Sequence, residues 1–466
     1  MYLNLDQKPS KAIAALDSNG LSICYGELCS FFQEIKPFTP ARNVVFCLCE
    51  NTVGALAGYL SFIENKLVPL LLPSHIDKAF LQSLEKIYEP AFFWVPAWAK
   101  DMIQGKILFQ KYQYVLISTG RKYYSLYDDL ALLLTTSGST GSPKLVRHSY
   151  QNLSANAKNV AKFFCITPED RPIADLPMHY TMGHSVICSH LYAGATVLIT
   201  PLNLMRPEFW DFFKEQHAST FTGVPYSYEV LRKLRFTHSI WPHLRILTQG
   251  GGKLPEDTYQ EFAVYAEQHG IQFIPTYGQT ECTARMAYLP AEFALTKKGA
   301  IGKAIPEGEL YLVDEKGQEL TEIEQEGEMG YRGPNVTLGY AQCKEDLRLG
   351  DLWKGEHLTG DIAKRDKDGI YFIVGRKSRF LKLFGYRVSL DQCERLIQQE
   401  FDLPCACVGN DVQLFCYVES SILQKNIPQF LAEKTGIFHS AFRVRNIEKL
   451  PRNESGKIIY HLLSNE

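Results

Sequence analysis

A run of glycine, hydroxyl and lysine side chains follows an apolar stretch in the first third of the chain. Leu132-Leu133-Leu134 leads into Thr135-Thr136-Ser137-Gly138-Ser139-Thr140-Gly141-Ser142-Pro143-Lys144. Glycines let a backbone approach a polyanion closely, hydroxyl and amide groups donate hydrogen bonds, and lysine supplies positive charge. The run therefore predicts a loop that holds a polyphosphate at the end of a strand.

The spacing of this run does not match the common P-loop, which needs Gly-x-x-x-x-Gly-Lys-Ser/Thr. Here Lys144 follows Gly-Ser-Pro and precedes Leu145. A kinase or a P-loop ATPase is therefore disfavoured. Taken alone, a Ser/Gly/Thr stretch is equally compatible with a flexible surface loop, so other motifs must decide the interpretation.

Composition excludes several classes of protein. The 466 residues are 45% hydrophobic and 21% charged, with a formal net charge of −2, which is typical of a soluble globular protein. The charge balance gives no electrostatic footprint for nucleic acid. No apolar run approaches the ~18 residues that span a bilayer, and the N-terminal residues lack the pattern of a signal peptide. A cytoplasmic protein with no membrane span is expected.

The twelve cysteines do not have metal-site spacing. No Cys-x-x-Cys is present, and Cys47/Cys49 and Cys405/Cys407 lie two residues apart inside apolar runs. Because side chains alternate along a strand, each of these pairs points to one face. Buried free thiols in a reducing compartment are therefore expected.

Short apolar runs alternate with amphipathic segments through the first ~300 residues, which predicts parallel sheets with helices on both faces. The predicted strands are Val44–Leu48, Val68–Leu72, Leu132–Thr135, Thr196–Thr200, Leu244–Thr248 and Ile271–Pro275, and the predicted helices include Gln151–Phe164 and Asp257–His269. Ser149 is the expected N-cap of the first helix. The positive end of that helix would then face the Lys144 loop.

The pattern changes after about residue 300. Glycine turns such as 327–333 predict a β-rich subdomain. A polar break at 375–379 precedes a hairpin pattern, a helix near Asp391–Glu400 and strands at Ala406–Gly409 and Val412–Val418. The expected fold is α/β, with a large N-terminal domain of doubly wound sheets plus a β-rich subdomain (1–376) and a small α+β C-terminal domain (377–466).

Further motifs follow in order along the chain. They are Gln249-Gly250-Gly251-Gly252-Lys253, Tyr277-Gly278-Gln279-Thr280-Glu281, Gly339-Tyr340, Thr359-Gly360-Asp361, Gly375-Arg376, Lys382-Leu383-Phe384-Gly385 and Pro451-Arg452-Asn453-Glu454-Ser455-Gly456-Lys457. Each one alone is compatible with an ordinary turn or a solvated lysine. Together, the chain resembles the adenylate-forming (AMP-binding) superfamily, which includes acyl-CoA synthetases, free-standing adenylation domains, aryl acid–AMP ligases and luciferases.

The resemblance implies an ATP site. Its phosphate loop would consist of Thr136, Ser137, Gly138, Ser139, Thr140, Gly141 and Lys144. The other nucleotide contacts would come from Gly251, Gly252, Lys253, Tyr277, Gly278, Gln279, Thr280, Asp361 and Arg376. In this assignment Tyr277 stacks on adenine and Thr280 contacts the α-phosphate. Glu281 holds Mg²⁺, which prefers oxygen ligands.

The resemblance also implies a reaction in two steps. A substrate carboxylate attacks the α-phosphate of ATP, giving acyl-AMP and pyrophosphate, with Lys144, Thr280, Glu281 and Lys457 as the catalytic residues. Lys457 would lie on a mobile C-terminal domain and place charge on the transition state when that domain closes. The domain would then swing and admit a phosphopantetheine thiol along a channel containing Lys382 and Gly385.

The acceptor of the acyl group is expected to be a phosphopantetheine thiol on a separate acyl carrier protein, with free CoA as the alternative. The cations Lys377, Arg379 and Lys382 near the channel would attract either the 3′-phosphate of CoA or an acidic carrier. Two positions depart from the family pattern. Leu145 stands where glycine is usual, and Ser378 occupies the hinge position.

The acid pocket is implied to include the segment 176–184. Amino-acid-activating relatives carry an aspartate there, whereas this chain has His179-Tyr180-Thr181, with Asp175 as the alternative alignment. An aryl or short-to-medium acyl acid is therefore favoured. The remaining implied pocket residues are Thr222, Gly223, Gly250, Gly252 and Arg285. Arg285 is expected either on the surface or facing an anionic or hydroxyl substituent.

A catalytically silent nucleotide-binding scaffold is the competing interpretation from another functional class. Such a protein would keep the fold and lose the chemistry. The chain retains Lys144, Glu281, Asp361, Arg376 and Lys457, and a scaffold has no need of all five. An AMP-forming ligase is therefore the expected function.

Overall fold

The computed structural model describes residues 1–135, 144–383, 386–410, 412–420, 426–452 and 456–463, with the backbone alone for 380, 382, 386 and 387. The chain forms two compact units. Unit 1 comprises Met1–Leu310 and Tyr331–His357, and unit 2 comprises Tyr311–Gly330 and Leu358–Glu466.

The strands of the described chain, in order, are β1 (Ile13–Asp17), β2 (Ser22–Cys24), β3 (Val44–Cys49), β4 (Val68–Pro73), β5 (Phe92–Pro96), β6 (Lys106–Lys111), β7 (Tyr114–Ser118), β8 (Leu130–Thr135), β9 (Leu145–Ser149), β10 (Pro172–Ala174), β11 (Val197–Ile199), β12 (Thr220–Gly223), β13 (Ile246–Gln249), β14 (Gln272–Tyr277), β15 (Ala287–Tyr288), β16 (Ala300–Ala304), β17 (Glu309–Val313), β18 (Gly327–Arg332), β19 (Tyr340–Ala341), β20 (Glu356–Arg365), β21 (Tyr371–Arg376), β22 (Phe380–Leu383), β23 (Tyr386–Ser389), β24 (Cys405–Gly409), β25 (Leu414–Glu419) and β26 (Phe442–Ile447). The α-helices are α1 (Tyr25–Ile35), α2 (Val53–Glu64), α3 (Lys78–Tyr88), α4 (Tyr150–Phe163), α5 (Thr181–Ala193), α6 (Pro207–Glu215), α7 (Pro225–Lys233), α8 (Glu256–Gln268), α9 (Leu390–Phe401) and α10 (Ile427–Thr435). Among the described residues, no helix has the length and apolar character needed to cross a membrane.

The first sheet of unit 1 has the strand order β16-β15-β14-β13-β12-β10-β11-β1-β2. Every neighbouring pair from β1 to β14 is parallel, whereas β2, β15 and β16 pair antiparallel at the two ends. The carboxyl ends of parallel strands meet at one edge of a sheet, where α/β proteins bind their ligands. The glycine-rich and Tyr-Gly-Gln-Thr-Glu motifs both begin at this edge.

The second sheet of unit 1 has the order β19-β9-β8-β4-β3-β5-β7-β6. All six residues of β3 are buried, as expected for a parallel strand covered on both faces. β8 and β9 pair antiparallel, with Thr135 opposite Leu145. The predicted phosphate loop therefore connects two adjacent strands. Leu145 is a buried residue of β9, which accounts for an apolar side chain where relatives have glycine.

Ser149 caps α4 as the sequence predicted. Its hydroxyl accepts a hydrogen bond from the Asn152 backbone N–H at 3.0 Å, and the Asn152 side chain accepts one from the Ser149 N–H at 2.8 Å. This reciprocal capping box satisfies two N–H groups that the first turn of a helix leaves unpaired. It fixes the start of α4 at the end of β9.

Unit 2 contains most of β17, β18 and β20 and all of β21 to β26. β20 and β21 form an antiparallel pair, β22 and β23 form a hairpin, and β24, β25 and β26 form a small mixed sheet. The sequence grouped residues up to 376 with the N-terminal domain. In the structure, 311–330 and 358–376 are grouped in unit 2 with the C-terminal residues.

The cysteines of the apolar runs are buried and reduced, as the sequence predicted. Cys47 and Cys49 lie in one hydrophobic cluster of unit 1, and Cys405 and Cys407 in one cluster of unit 2. All twelve cysteines are free thiols.

Arg147, on β9, holds the segment 338–350 against the second sheet. The residue is fully buried. Its guanidinium donates to the carbonyl oxygens of Tyr340 at 3.1 Å, Leu349 at 2.5 Å, Leu338 at 2.7 Å and Gly350 at 3.2 Å. One guanidinium thereby joins four backbone carbonyl groups of this segment to β9, and the Leu338 carbonyl also accepts from the Leu352 N–H at 3.1 Å.

Replacing Arg147 should be strongly destabilising. We expect Arg147→Met to lower the free energy of unfolding by about 3–5 kcal/mol, because four hydrogen bonds from one buried charged donor are lost. Urea unfolding followed by circular dichroism measures this loss. Arg206→Met is the matched control, since Arg206 is an exposed arginine and should change the free energy by less than ~0.5 kcal/mol. Equal effects of the two changes would contradict a structural role for the Arg147 guanidinium.

Candidate active site

The carboxyl ends of β12, β13 and β14 bring the predicted pocket residues together. Gly223 pairs with Gln249, and Gln249 pairs with Pro275 in the parallel register. The Gly250 N–H donates to the Gly223 carbonyl at 3.1 Å. Two implied pocket residues from separate motifs are therefore in direct contact.

The glycine-rich segment after β13 has little space for side chains. A Cβ atom on Gly250 would lie 2.5 Å from Met182 Cε and 2.8 Å from Thr276 Oγ1. Gly251 has a φ of +78°, a conformation that L-residues rarely adopt. On the side of the acid segment, Tyr180 Oη lies 3.2 Å from the position of a Gly251 Cβ. The segment thus presents bare backbone beside Tyr180 and Met182.

Gly278 lets the Tyr-Gly-Gln-Thr-Glu motif fold back on itself. A Cβ atom there would lie 1.3 Å from the carbonyl oxygen of Ala284, so only glycine fits. The Gln279 amide donates to Tyr277 Oη at 3.2 Å. The hydroxyls of Thr280 and Thr181 are 2.8 Å apart, which places the predicted α-phosphate contact at the start of α5.

Tyr340 connects two predicted catalytic residues that lie far apart in sequence. Its hydroxyl donates to Glu281 Oε1 at 2.7 Å, and Lys144 Nζ lies 3.5 Å from the centroid of its ring. A carboxylate able to bind a metal and a cation able to meet phosphate are therefore held around one aromatic side chain. The Gly339-Tyr340 motif was noted in the sequence, but its role was not predicted.

The loop after Glu281 has an unusual backbone. Thr283 and Ala284 have φ of 53° and 76°, in the left-handed region that costs a non-glycine residue about 1–3 kcal/mol. Asn335 holds this conformation, since its amide donates to the carbonyls of Cys282 at 2.8 Å and Arg285 at 3.2 Å. Glu281 and Arg285 are consequently fixed at the two ends of a tight turn.

Arg285 is not a surface residue, which was one of its two predicted placements. Only 1% of the residue is exposed. Its Nη1 donates to Ser185 Oγ at 3.2 Å, whereas Nε and Nη2 are buried without a hydrogen-bond partner. Burial lowers the pKa of its guanidinium to about 9, so the group remains charged at neutral pH.

The acid-pocket segment contains two titratable groups whose pKa values differ from those of solvent-exposed side chains. Burial lowers the pKa of His179 to about 4, so its imidazole is neutral at physiological pH. Burial raises the pKa of Asp175 to about 7. Burial disfavours the charged form of this carboxyl group.

In unit 2, Asp361 and Arg376 lie opposite each other on β20 and β21. Arg376 Nε is 3.2 Å from Asp361 Oδ1, and the Asp361 side chain is only 5% exposed. The sequence assigned both residues to the nucleotide, and they form one charged pair. Lys457 is half-buried. It precedes Ile458, whose backbone forms an isolated antiparallel β-bridge with Arg452.

Arg379 forms ion pairs with residues of unit 2. Its prediction as an available cation near the channel is therefore wrong. Its guanidinium pairs with Asp391 and Glu394 and lies 3.8 Å from the centroid of the Tyr460 ring. Two carboxylates and an aromatic ring leave this cation unsuited to bind an external phosphate. Lys377 is exposed and pairs with Glu328 at 2.7 Å.

Several predicted residues lie outside the described part of the chain. These are Thr136, Ser137, Gly138, Ser139, Thr140, Gly141 and Gly385. For Lys382 the structure describes the backbone in β22. Within the described ranges, no group of three or more histidine, cysteine or acidic side chains could hold a metal. A single carboxylate such as Glu281 nonetheless fits Mg²⁺, which keeps several waters and takes its other ligands from substrate phosphates.

Known proteins share the motifs and the fold. A family model described as AMP-binding enzyme matches residues 113–341. Oxalate–CoA ligase of Arabidopsis thaliana is 28% identical over 348 residues, which are 71% of this chain and 66% of that protein. The matched part thus spans slightly less than two thirds of that relative's own length. 2-Succinylbenzoate–CoA ligase of Bacillus cytotoxicus is 27% identical over 345 residues, 72% of this chain and 70% of that protein. ATP-bound MatB from Rhodopseudomonas palustris has the same fold, with a TM-score of 0.82 at 23% identity over 99% of this chain and 98% of that one.

The Tyr340 hydroxyl should support metal–nucleotide binding. We expect Tyr340→Phe to weaken the affinity for MgATP about 5–10-fold, because Glu281 loses the hydrogen bond that orients it, worth ~1 kcal/mol or slightly more. Isothermal titration calorimetry measures the change. Tyr226→Phe, at an exposed tyrosine, is the matched control and should bind like the wild type. An unchanged affinity in Tyr340→Phe would contradict the role of the hydroxyl.

Proposed function

Because the chain belongs to the adenylate-forming superfamily of AMP-binding enzymes, we propose that it is an ATP-dependent ligase that joins a carboxylic acid to a thiol through an acyl-adenylate. The observation that carries this proposal is the placement of Lys144 and Glu281 around Tyr340. It unites a phosphate-binding cation with a metal-binding carboxylate at the edge where the parallel strands end.

Each of these side chains has a task in forming the adenylate. When bound, Mg²⁺ would offset the charge of the nucleotide phosphates, and Glu281 is the residue that would hold it. Lys144 would move its ammonium group from the ring of Tyr340 to the β- and γ-phosphates. The Thr280 hydroxyl, fixed by Thr181 at 2.8 Å, would donate to the α-phosphate as negative charge develops there.

The nucleoside is assigned to Asp361 and Arg376. A carboxylate that is buried and already paired has a defined orientation, so Asp361 is suited to accept hydrogen bonds from two ribose hydroxyls. Arg376, whose side chain is 61% exposed, retains donors for ribose or phosphate. Tyr277 would offer its ring to adenine.

The acceptor is proposed to be the phosphopantetheine thiol of CoA. The names of the relatives support CoA, whereas the sequence alone favoured an acyl carrier protein. An aryl or short-to-medium acyl acid remains the proposed substrate class, because the pocket segment has His179 and Tyr180 in place of an aspartate.

Lys457 should be needed for adenylation and dispensable for binding ATP. We expect Lys457→Ala to lower the rate of acid-dependent ATP–pyrophosphate exchange about 10²–10³-fold, as is typical for loss of a preorganised charge, with ATP affinity retained. Lys449→Ala, at an exposed lysine of the same unit, is the matched control. A wild type that binds ATP and exchanges no pyrophosphate with any acid would instead indicate a nucleotide-binding scaffold.

The acceptor is tested with the acid that supports exchange. We expect CoA to be consumed with formation of a thioester and AMP, detected by liquid chromatography and mass spectrometry. A holo acyl carrier protein should be acylated at least 10-fold more slowly, because recognition of CoA includes its nucleotide. Faster loading of the carrier would assign the acceptor to a protein partner and reject CoA.

A further inference from the structure

A small cavity of unit 1 includes two of the implied acid-pocket residues, Thr222 and Arg285. It is lined by Phe164, Ile166, Val186, His190, Thr220, Thr222, Ile246, Thr248 and Arg285. We propose that this cavity binds a second carboxylate at the far end of the substrate, so that the ligase acts on short dicarboxylic acids. The inference rests on the proposed function and names the substrate class of the same site.

The guanidinium of Arg285 is built to receive an anion. Its Nε and Nη2 atoms are buried without partners, and its Nη1 is held by Ser185 at 3.2 Å. A buried guanidinium with two open donors lacks the compensation that buried charges require. A carboxylate would supply it with two parallel hydrogen bonds.

The other residues that line the cavity add one hydrogen-bond donor and no charged side chain. The Thr248 hydroxyl is also buried without a partner. His190 is neutral, since burial lowers its pKa to about 4, and its Nε2 lies 3.3 Å from Thr220 Oγ1. The other side chains of the lining are apolar or are threonines. A single small anion therefore meets one fixed cation and one hydroxyl.

No carboxylate of the described chain already occupies this role. The acidic side chain beside His190 is Asp170, which is engaged by Arg245 Nε at 2.6 Å and by the Ser219 hydroxyl at 2.8 Å. The described partners of the Arg285 guanidinium are the Ser185 hydroxyl and the Phe164 ring, whose centroid lies 5.1 Å from Cζ. The partner must come from outside these residues.

The position of the cavity relates it to the reacting end of the acid. Thr222 and Thr248 precede Gly223 and Gln249, which lie at the edge where the glycine-rich segment begins. One strand residue rises about 3.3 Å, so the cavity starts within a residue or two of that edge. A molecule with two to four carbons between its carboxylates spans such a distance.

The size of the cavity limits what can enter. It measures about 10 Å³, roughly the space of one water molecule. A carboxylate is larger than one water molecule, so its entry would require the lining side chains to shift, and an aromatic ring is excluded. A free inorganic anion has the same chemistry, and the experiment separates this source from the substrate.

The test compares acids of equal length that differ by one carboxylate. We expect wild-type ATP–pyrophosphate exchange to give a kcat/KM for succinate or glutarate about 10²–10³-fold above butyrate or valerate, in the range found for buried charge pairs. Arg285→Met should remove this preference and raise activity with the monoacid, whereas Arg285→Lys should keep part of it. If Arg285 had only a structural role, its replacement would lower kcat/KM for the diacid and the monoacid together.

Arg206→Met serves as the matched control for loss of a positive charge, and thermal unfolding establishes that each variant is folded. Thr248→Val provides a second change in the lining and should lower the succinate preference by about 5–10-fold. Equal kcat/KM for diacids and monoacids in the wild type would overturn the inference and leave the proposed ligase intact.

A direct measurement of succinate binding tests the inference independently of catalysis. Calorimetry of succinate with the wild type should show binding that Arg285→Met abolishes and that butyrate does not reproduce. If no acid supports exchange, the proposed function fails, and this measurement still decides whether the cavity binds a diacid. If chloride displaces succinate at equal concentration and exchange shows no preference for diacids, the cavity is a structural anion site. That result would overturn the inference.

Discussion

The hydrogen bonds of the Arg147 guanidinium to four carbonyl groups are the interaction on which the site depends. They attach the segment 338–350 to β9, and that segment carries Tyr340. Through its hydroxyl and its ring, Tyr340 then positions Glu281 and Lys144. A buried cation outside the proposed nucleotide contacts thus positions two of the residues that are proposed to make them.

The turn from Gly278 to Arg285 gives one short loop two opposite tasks. Because Gly278 has no Cβ, the chain reverses against Ala284, and Asn335 stabilises the left-handed residues that follow. Glu281 is directed towards Tyr340, and Arg285 towards the interior of unit 1. The strain at Thr283 and Ala284 is therefore the cost of placing an anion and a cation four residues apart on different sides of the same site.

Sequence predicted the parts of this structure that follow from local patterns. The buried strands β3 and β4, the cap at Ser149 and the proximity of the glycine-rich and Tyr-Gly-Gln-Thr-Glu motifs follow from apolar runs, hydroxyl caps and parallel topology. The inward direction of Arg285 and Arg379 was not predictable, because composition cannot say which cation finds a buried partner. The role of Tyr340 depends on Arg147, a contact across nearly 200 positions, which local sequence patterns do not report.

The hydrogen bond from Tyr340 also determines at which stage the Glu281 side chain loses conformational entropy. Glu281 is oriented through one carboxylate oxygen in the folded protein, so its conformational freedom is given up during folding. If Glu281 holds the metal as proposed, retention of the metal–nucleotide would be coupled to local opening of the segment 338–350. A fluctuation that frees this segment would then release the nucleotide while the sheets remain folded.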